Sequence, residues 1–382
     1  MEVKKWVSLL FISFLSLPIT GCWDYNKINE RAPIIGIAAD PVKGDDNKIS
    51  FTFQVQRFTP SGGGKGGGGG GGTEAQLPTN YVNFHVVSTD LHTALASAQT
   101  LSIKKFYLGD FNLLLINRHL KAPQVAKVVL EFIRDTSSDR LAYLFCADKS
   151  ALDILSLTGT HESPSDAIHD QLDAKAMQKA YFTRTKVWEF WRDIHRIGIE
   201  PKVGIIKVKG STFDVAGMEA FSSYQPKYKL NRWDSVFFHL LNDHLHEMAF
   251  QIPDRGKNFE VHHIHTTSHI KVLHQKGKTI LYDHIIVNGV LSNDEIDNQT
   301  NLSNRELSRY EQVMGKYLKN QSEKVLKKLQ QQKLDIFGFG QYEVIQHPER
   351  LEDIQKNWPD TFSSALPLIK MDVHIHHTGT LM

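Results

Sequence analysis

The stretch Phe111-Asn112-Leu113-Leu114-Leu115-Ile116, followed by Pro123 and then by Val125, Val128, Val129 and Phe132, decides how this chain is read. A short apolar run with little alternation reads as a buried strand. Pro123 belongs at a helix start, where its missing N–H is no loss, and the four apolar residues after it share one helical face. Strand followed by helix is the unit of a layered α/β structure.

Neighbouring segments extend the pattern. Ile34 to Ile37 and the strictly alternating Ile49-Ser50-Phe51-Thr52-Phe53-Gln54-Val55 form an expected hairpin, with Gly44-Asp45-Asp46-Asn47 as the turn. Asp90 is placed to cap a helix carrying Leu91, Ala94, Leu95 and Ala98. Leu141 to Cys146 reads as a strand, Ala151 to Leu157 as a short helix, and Val187, Phe190, Trp191 and Ile194 as one face of another. Gly198 and Pro201 end that helix, which sets the main boundary between regions 22–200 and 201–382.

The second region repeats the style. Val203 to Val208 reads as a strand, Trp233 to Met248 as a helix, and 259–272 and 280–291 as strands joined at Gln275-Lys276-Gly277. Ser303-Asn304-Arg305-Glu306 is a capping box opening a long helix with Leu307, Tyr310, Met314, Tyr317, Gln321 and Val325 on one stripe. Lys324, Lys327 and Lys328 near its end complement the helix dipole. Met371, Val373 and Ile375 finish the chain as an alternating strand. The expected fold class is mixed α/β (α+β) and multi-domain.

Composition bounds the function. The 382 residues are 41% hydrophobic and 23% charged, an ordinary globular balance. With 44 basic and 42 acidic side chains there is no concentrated basic field, and no nucleic-acid partner is expected. Two cysteines allow no disulfide framework and no four-cysteine zinc module. The run Ser61-Gly62-Gly63-Gly64-Lys65, continued by Gly66 to Gly72, lacks the spacing and the following Lys-Ser/Thr of a phosphate loop, so residues 61–72 read as a flexible surface loop.

The N-terminus carries an address. Lys4 and Lys5 precede the mostly apolar run Trp6 to Ile19, which as a helix spans about 21 Å, short of a hydrocarbon core of about 30 Å. It reads as a cleaved signal, residues 1–21. Ile19-Thr20-Gly21-Cys22 resembles the lipobox of bacterial lipoproteins, in which the cysteine thiol receives diacylglycerol; Cys22 is the lipidation site this implies. Two or three acyl chains hold a protein stably at a bilayer, at about 0.8 kcal/mol per buried CH₂. Lipidation of Cys22 leaves Cys146 unpaired, and its neighbours Leu144 and Phe145 mark it as a buried, inert thiol.

Nineteen histidines invite a metal reading. His239, Asp243 and His246 fall on one helical face, but His246-Glu247 meets Phe250 where a zinc-protease helix needs its second histidine. The stripe Trp233, Val236, Phe237, Leu240 and Leu241 is expected to be the buried one, with the histidine face in solvent. His263, His265 and His269 share a strand face, as do His374 and His376. No group has a full ligand set, so no metal and no cofactor are expected. No Gly-x-Ser-x-Gly elbow or paired-carboxylate signature supports an enzyme.

Several motifs together resemble one family. Gly21-Cys22-Trp23-Asp24, then Ile28, Gly36-Ile37 and Asp40, are similar to the mature start of spore-germination receptor C-subunit lipoproteins, the Ger(x)C (GerAC-like) family. Phe132-Ile133-Arg134-Asp135 fits the same family, and Asp335-Ile336-Phe337-Gly338-Phe339-Gly340, followed by Pro348, Trp358 and a terminal strand toward Gly379, is the most specific match. Ala38-Ala39 and Asn293 depart from the family's pattern. The resemblance implies a three-domain mixed α/β protein, each domain a β-sheet flanked by helices, lipid-anchored on the extracytoplasmic face of the spore inner membrane. Its implied partners are the membrane-embedded A-type and B-type subunits of a nutrient germinant receptor and the lipid bilayer itself, with scaffolding as the role. A solute-binding lipoprotein of a transporter and, below it, a metal-dependent surface hydrolase are the competing readings.

In the 335–340 motif, Gly338 and Gly340 are expected to adopt backbone angles other residues avoid, Phe337 and Phe339 to enter the core, and Asp335 to close the long helix.

Overall fold

A computed structural model describes residues 30–57, 80–134, 141–160, 162–173, 180–242, 245, 248–292 and 303–376. The expected signal peptide, Cys22, Trp23-Asp24, the glycine-rich loop 61–72, Asp135, Asp243, His246, Asn293 and Gly379 lie outside the described residues.

The first sheet is built from β1 (Arg31–Val42), β2 (Asp45–Gln56), β3 (Tyr81–Ser88), β4 (Lys105–Tyr107), β5 (Leu113–Asn117), β6 (Tyr143–Ala147), β7 (Thr185–Lys186), β8 (Lys202–Lys209), β9 (Thr212–Ser222) and β10 (Gln225–Leu230). Its order is β10-β9-β8-β6-β5-β1-β2-β3, with β4 beside β1 and β7 beside β6. The centre is parallel: β1, β5, β6 and β8 run together. These strands are buried on both faces, which is why 113–116 and 144–147 carry unbroken apolar runs. Ile37, Leu114, Leu144 and Val203 enter the core under one face, while Ala38, Leu113, Phe145 and Ile206 enter the core under the other.

Helices cover both faces. Helix α1 (Leu91–Gln99), α2 (Ala122–Arg134) and α5 (Val187–His195) supply Ala94, Val125 and Phe190 to the first core. Helix α3 (Ala151–Leu155) and α4 (Pro164–Asp173) supply Ile154 and Ile168 to the second. The hairpin expected over 34–55 is β1 and β2, turned at Gly44 with φ +83°. Asp90 caps α1 as expected, accepting the Thr93 amide at 2.7 Å.

The second sheet has the order β11-β12-β13-β14, from β11 (Met248–Asp254), β12 (Lys257–Gln275), β13 (Lys278–Leu291) and β14 (Leu366–His376). Its hairpin turns at Lys276 and Gly277, both at positive φ. Between β13 and its parallel partner β14 come α7 (Asn304–Gln332), α8 (Phe339–Gln346) and α9 (Leu351–Ser364), the crossover that a parallel pair requires. Ser303 and Glu306 form the expected capping box on α7.

The mixed, multi-domain class stands: two sheets among the described residues, each flanked by helices. The expected division at 200 and 201 falls at the entry to β8, which pairs with β6 inside the first sheet. Helix α6 (Arg232–Leu241) packs Val236 and Leu240 into the second core together with Met218 and Leu230 of the first sheet's edge.

Three local expectations are corrected. The helix expected over 233–248 ends at Leu241, capped by Asn242, because Met248, Phe250 and Ile252 alternate and take the strand β11. Trp233, expected in the buried stripe, is 51% exposed. His239, expected in solvent, is buried and held by a 2.8 Å hydrogen bond between Nε2 and the Phe182 carbonyl.

Candidate functional site

The residues that carry the most specific motif sit where the two regions meet. Helix α7 ends at Gln332, with Lys333 as a left-handed C-cap at φ +59°. Asp335 therefore lies beyond the helix end and does not close it. Instead its fully buried carboxylate organises the turn that follows. One oxygen accepts the amides of Phe337 at 3.1 Å and Gly338 at 2.9 Å. The other accepts the Gly340 amide at 2.8 Å and the Trp358 indole N–H at 2.9 Å. Four donors converge on one side chain, so the first turn of α8 is tied through Asp335 to α9.

The two glycines of the motif serve different purposes. Gly338 stands at φ +87°, the left-handed region, as the residue before α8. Gly340 is helical, and space is its constraint. A Cβ there would lie 2.4 Å from the Trp358 indole nitrogen and 2.6 Å from the Gly198 Cα. Gly198, at φ +80°, is crowded in return: its Cβ would come within 2.2 Å of the Gly340 carbonyl carbon. Two backbones touch here because neither carries a side chain. Phe337 and Phe339 enter the second core as expected.

Hydrogen bonds fasten the contact from both sides. The Gln341 amide donates to the Gly198 carbonyl at 2.8 Å, and the Glu200 amide donates to the Asp335 carbonyl at 2.9 Å. The segment that leaves α5 and enters β8 is thus stapled onto the 335–341 turn.

The electrostatics of this junction are unusual. Burial pushes the Glu200 carboxyl up to about 8, with the Asp335 charge adding to it, and among the described residues Glu200 Oε2 has no hydrogen-bond partner. Burial also pushes Asp335 up, against the pull of the Gly340 amide and the Trp358 N–H. Every contact made by the Asp335 carboxylate is with a donor, which favours its ionised form and leaves Glu200 as the protonated member of the pair. Nearby, burial pushes the Lys202 ammonium down, opposed by Asp193. Its nitrogen lies 5.5 Å from the centre of the Phe238 ring.

Elsewhere the expected site residues stay apart. Cys146 is a free thiol, wholly buried between the layers, and burial raises it well above the usual thiol range. A bulge between His262 and His265 interrupts β12, with His263 at φ +49°, and His263, His265 and His269 are all exposed. His374 and His376 lie on the exposed face of β14. Among the described residues no group of three or more His, Cys, Asp or Glu is placed to hold a metal ion.

Sequence reading found the Asp335–Gly340 motif and Trp358 but missed Gly198 and Glu200 as its partners. The only local signal for Gly198 was a glycine past a helix end, which a C-terminal cap explains equally well.

Two mixed sheets joined through a buried turn define a two-region α+β protein. That architecture resembles the crystal structure of the GerBC protein, with a TM-score of 0.53 and 17% sequence identity over 92% of this chain and 99% of that one. The family models give the class a name: residues 24–208 match the spore germination protein N-terminal domain, and residues 216–379 the spore germination B3/GerAC-like C-terminal domain. The chain belongs to the GerAC-like family of spore germination proteins. Its similar relatives include spore germination protein B3 of Bacillus subtilis (strain 168), 23% identical over 96% of this chain and 95% of that protein. Spore germination protein KC of the same organism is also 23% identical, over 97% of this chain and 95% of its own length.

Proposed function

We propose that this chain is the lipid-anchored, extracytoplasmic subunit of a nutrient germinant receptor, and that it works by scaffolding. Both halves of the chain match their family domain models in order, and this single observation carries the reading. Cys22 is the proposed lipid attachment site, and acyl chains on it would hold the folded regions at the inner membrane of the spore. Among the described residues no helix is long and apolar enough to cross a membrane, which agrees with an anchor of another kind. Membrane-embedded A-type and B-type subunits are the proposed partners. The proposed regions 22–200 and 201–382, joined through the β6–β8 pairing and again at the Gly198–Gly340 contact, present one stiff body to them rather than two swinging ones. No catalytic step is assigned to it.

The test is deletion of this gene together with its paralogues, followed by a nutrient germination assay on purified spores. Loss of nutrient germination, restored by the wild-type chain and not by Cys22→Ala, supports the reading. Full nutrient germination in the multiple deletion rejects it.

A further inference from the structure

Among the described residues the outer edge of the second sheet is unpaired. Strand β14 ends the order β11-β12-β13-β14, and among the described residues no backbone group pairs with its far side. The amide of Ile375 points outward, since it donates to the Glu311 carboxylate at 3.0 Å. A strand alternates its backbone directions residue by residue, so Ile369, Met371 and Val373 also turn their N–H and C=O groups outward. Both ends of this window are closed. Pro367, in the same outward set, has no N–H to offer, and Glu311 occupies Ile375. Between them the edge is open among the described residues, and long open edges are normally blunted or covered.

A groove of about 840 Å³ runs along this edge between β14 and α7. Gly315 makes the approach of the helix possible, because a Cβ there would already sit 3.3 Å from Val373 Cγ2. The two acids of the groove are engaged: Glu311 on the Ile375 amide, and Asp372 on Lys370 at 2.9 Å and on His284 at 2.7 Å. Lys316 and Lys319, on the helix side, have no ion pair among the described residues. On the opposite face of the strand Leu366 and Leu368 are 48% and 47% exposed. The groove therefore offers strand hydrogen bonds, surplus positive charge and an apolar flank.

We propose that the outer edge of β14 is a docking strand for an acidic extended segment of a partner polypeptide, which adds as a further strand to the second sheet. Main-chain pairing to Ile369, Met371 and Val373 supplies the register, and carboxylates facing Lys316 and Lys319 select the segment. The inference rests on the sheet edge and the lysines of α7 beside it, and stands or falls independently of the receptor reading.

The test uses the full chain in detergent and two synthetic peptides, alternating Glu-Val and alternating Lys-Val. Amide hydrogen exchange and fluorescence anisotropy are the readouts. The Glu-Val peptide is expected to slow exchange at Ile369, Met371 and Val373, and to bind about tenfold or more tightly than Lys-Val. Met371→Pro removes one outward donor at an edge position and is expected to weaken Glu-Val binding about tenfold; because Met371 also packs against the second core, its melting temperature falls somewhat and binding is read well below the melt. Should that variant misfold, the helix double variant Lys316→Glu, Lys319→Glu reverses the charge without touching the strand, and it is expected to reverse the peptide preference. Equal binding of both peptides, or no slowing at the three amides, overturns the proposal. Concentration-dependent protection of the same amides without peptide also overturns it, since the occupant would then be a second copy of this chain.

Discussion

Gly198 and Gly340 meet backbone against backbone, with the Gly198 carbonyl accepting the Gln341 amide at 2.8 Å. One lies between α5 and β8, the other in the first turn of α8. Their contact joins the segment entering the first sheet to the turn that Asp335 holds, and it makes the junction sensitive to the smallest possible substitution.

Alanine at either position is expected to destabilise the chain. Gly340→Ala forces a methyl group into Trp358 and Gly198, an overpacking cost of about 1–3 kcal/mol. Gly198→Ala adds the left-handed penalty of about 1–2 kcal/mol to a similar clash. Gly44→Ala is the control: its φ of +83° is strained but nothing lies within 4 Å of the new Cβ. Urea unfolding should show Gly198→Ala, which carries both the clash and the left-handed penalty, below the Gly44→Ala control, and Gly340→Ala destabilised by its clash alone.

Asp335→Ala leaves four donors facing a cavity and is expected to cost roughly 3–5 kcal/mol. Trp358→Phe removes one donor, so roughly 1–2 kcal/mol is expected, with Asp335 still satisfied by three amides. Equal losses in the two variants would show that Asp335 does not organise the turn.

The protonated Glu200 gives the junction a pH dependence of known sign. Its folded value of about 8 exceeds the ordinary glutamate value of 4.5, so the folded chain holds this proton more tightly than the unfolded one. The resulting stability is complete below about pH 4.5 and is lost as pH rises toward and through about 8. Glu200→Gln keeps the shape without the titration. Melting temperatures from pH 5 to 9 should fall more steeply for the wild type, with the variant the more stable of the two at the alkaline end. Parallel curves would refute the assignment of the proton to Glu200.

How much of this was written in the sequence depends on the range of the interaction. The central strands were legible because burial on both faces removes alternation from 113–116 and 144–147, and α7 because Ser303 and Glu306 satisfy each other within one turn. The helix expected over 233–248 failed where two periods overlap: Leu240 and Leu241 continue a helical stripe just before Met248, Phe250 and Ile252 begin a strand. The burial of His239 depends on the Phe182 carbonyl, far away in the chain. Asp335-Ile336-Phe337-Gly338-Phe339-Gly340 was visible as a motif, and Gly338 announces its positive φ locally. That Gly340 is needed for space, and that Gly198 and Glu200 complete the junction, follows only from tertiary packing.

The anchor has its own test. Cys22→Ala is expected to abolish incorporation of a labelled fatty acid while the folded regions keep their melting temperature. Label retained on the variant would place the lipid elsewhere.

Co-purification from spore inner membranes tests the receptor role most directly. The tagged full chain, extracted in mild detergent, is expected to bring down both the A-type and the B-type membrane subunits. Recovery of those two subunits with each other, and of this chain alone, would contradict it.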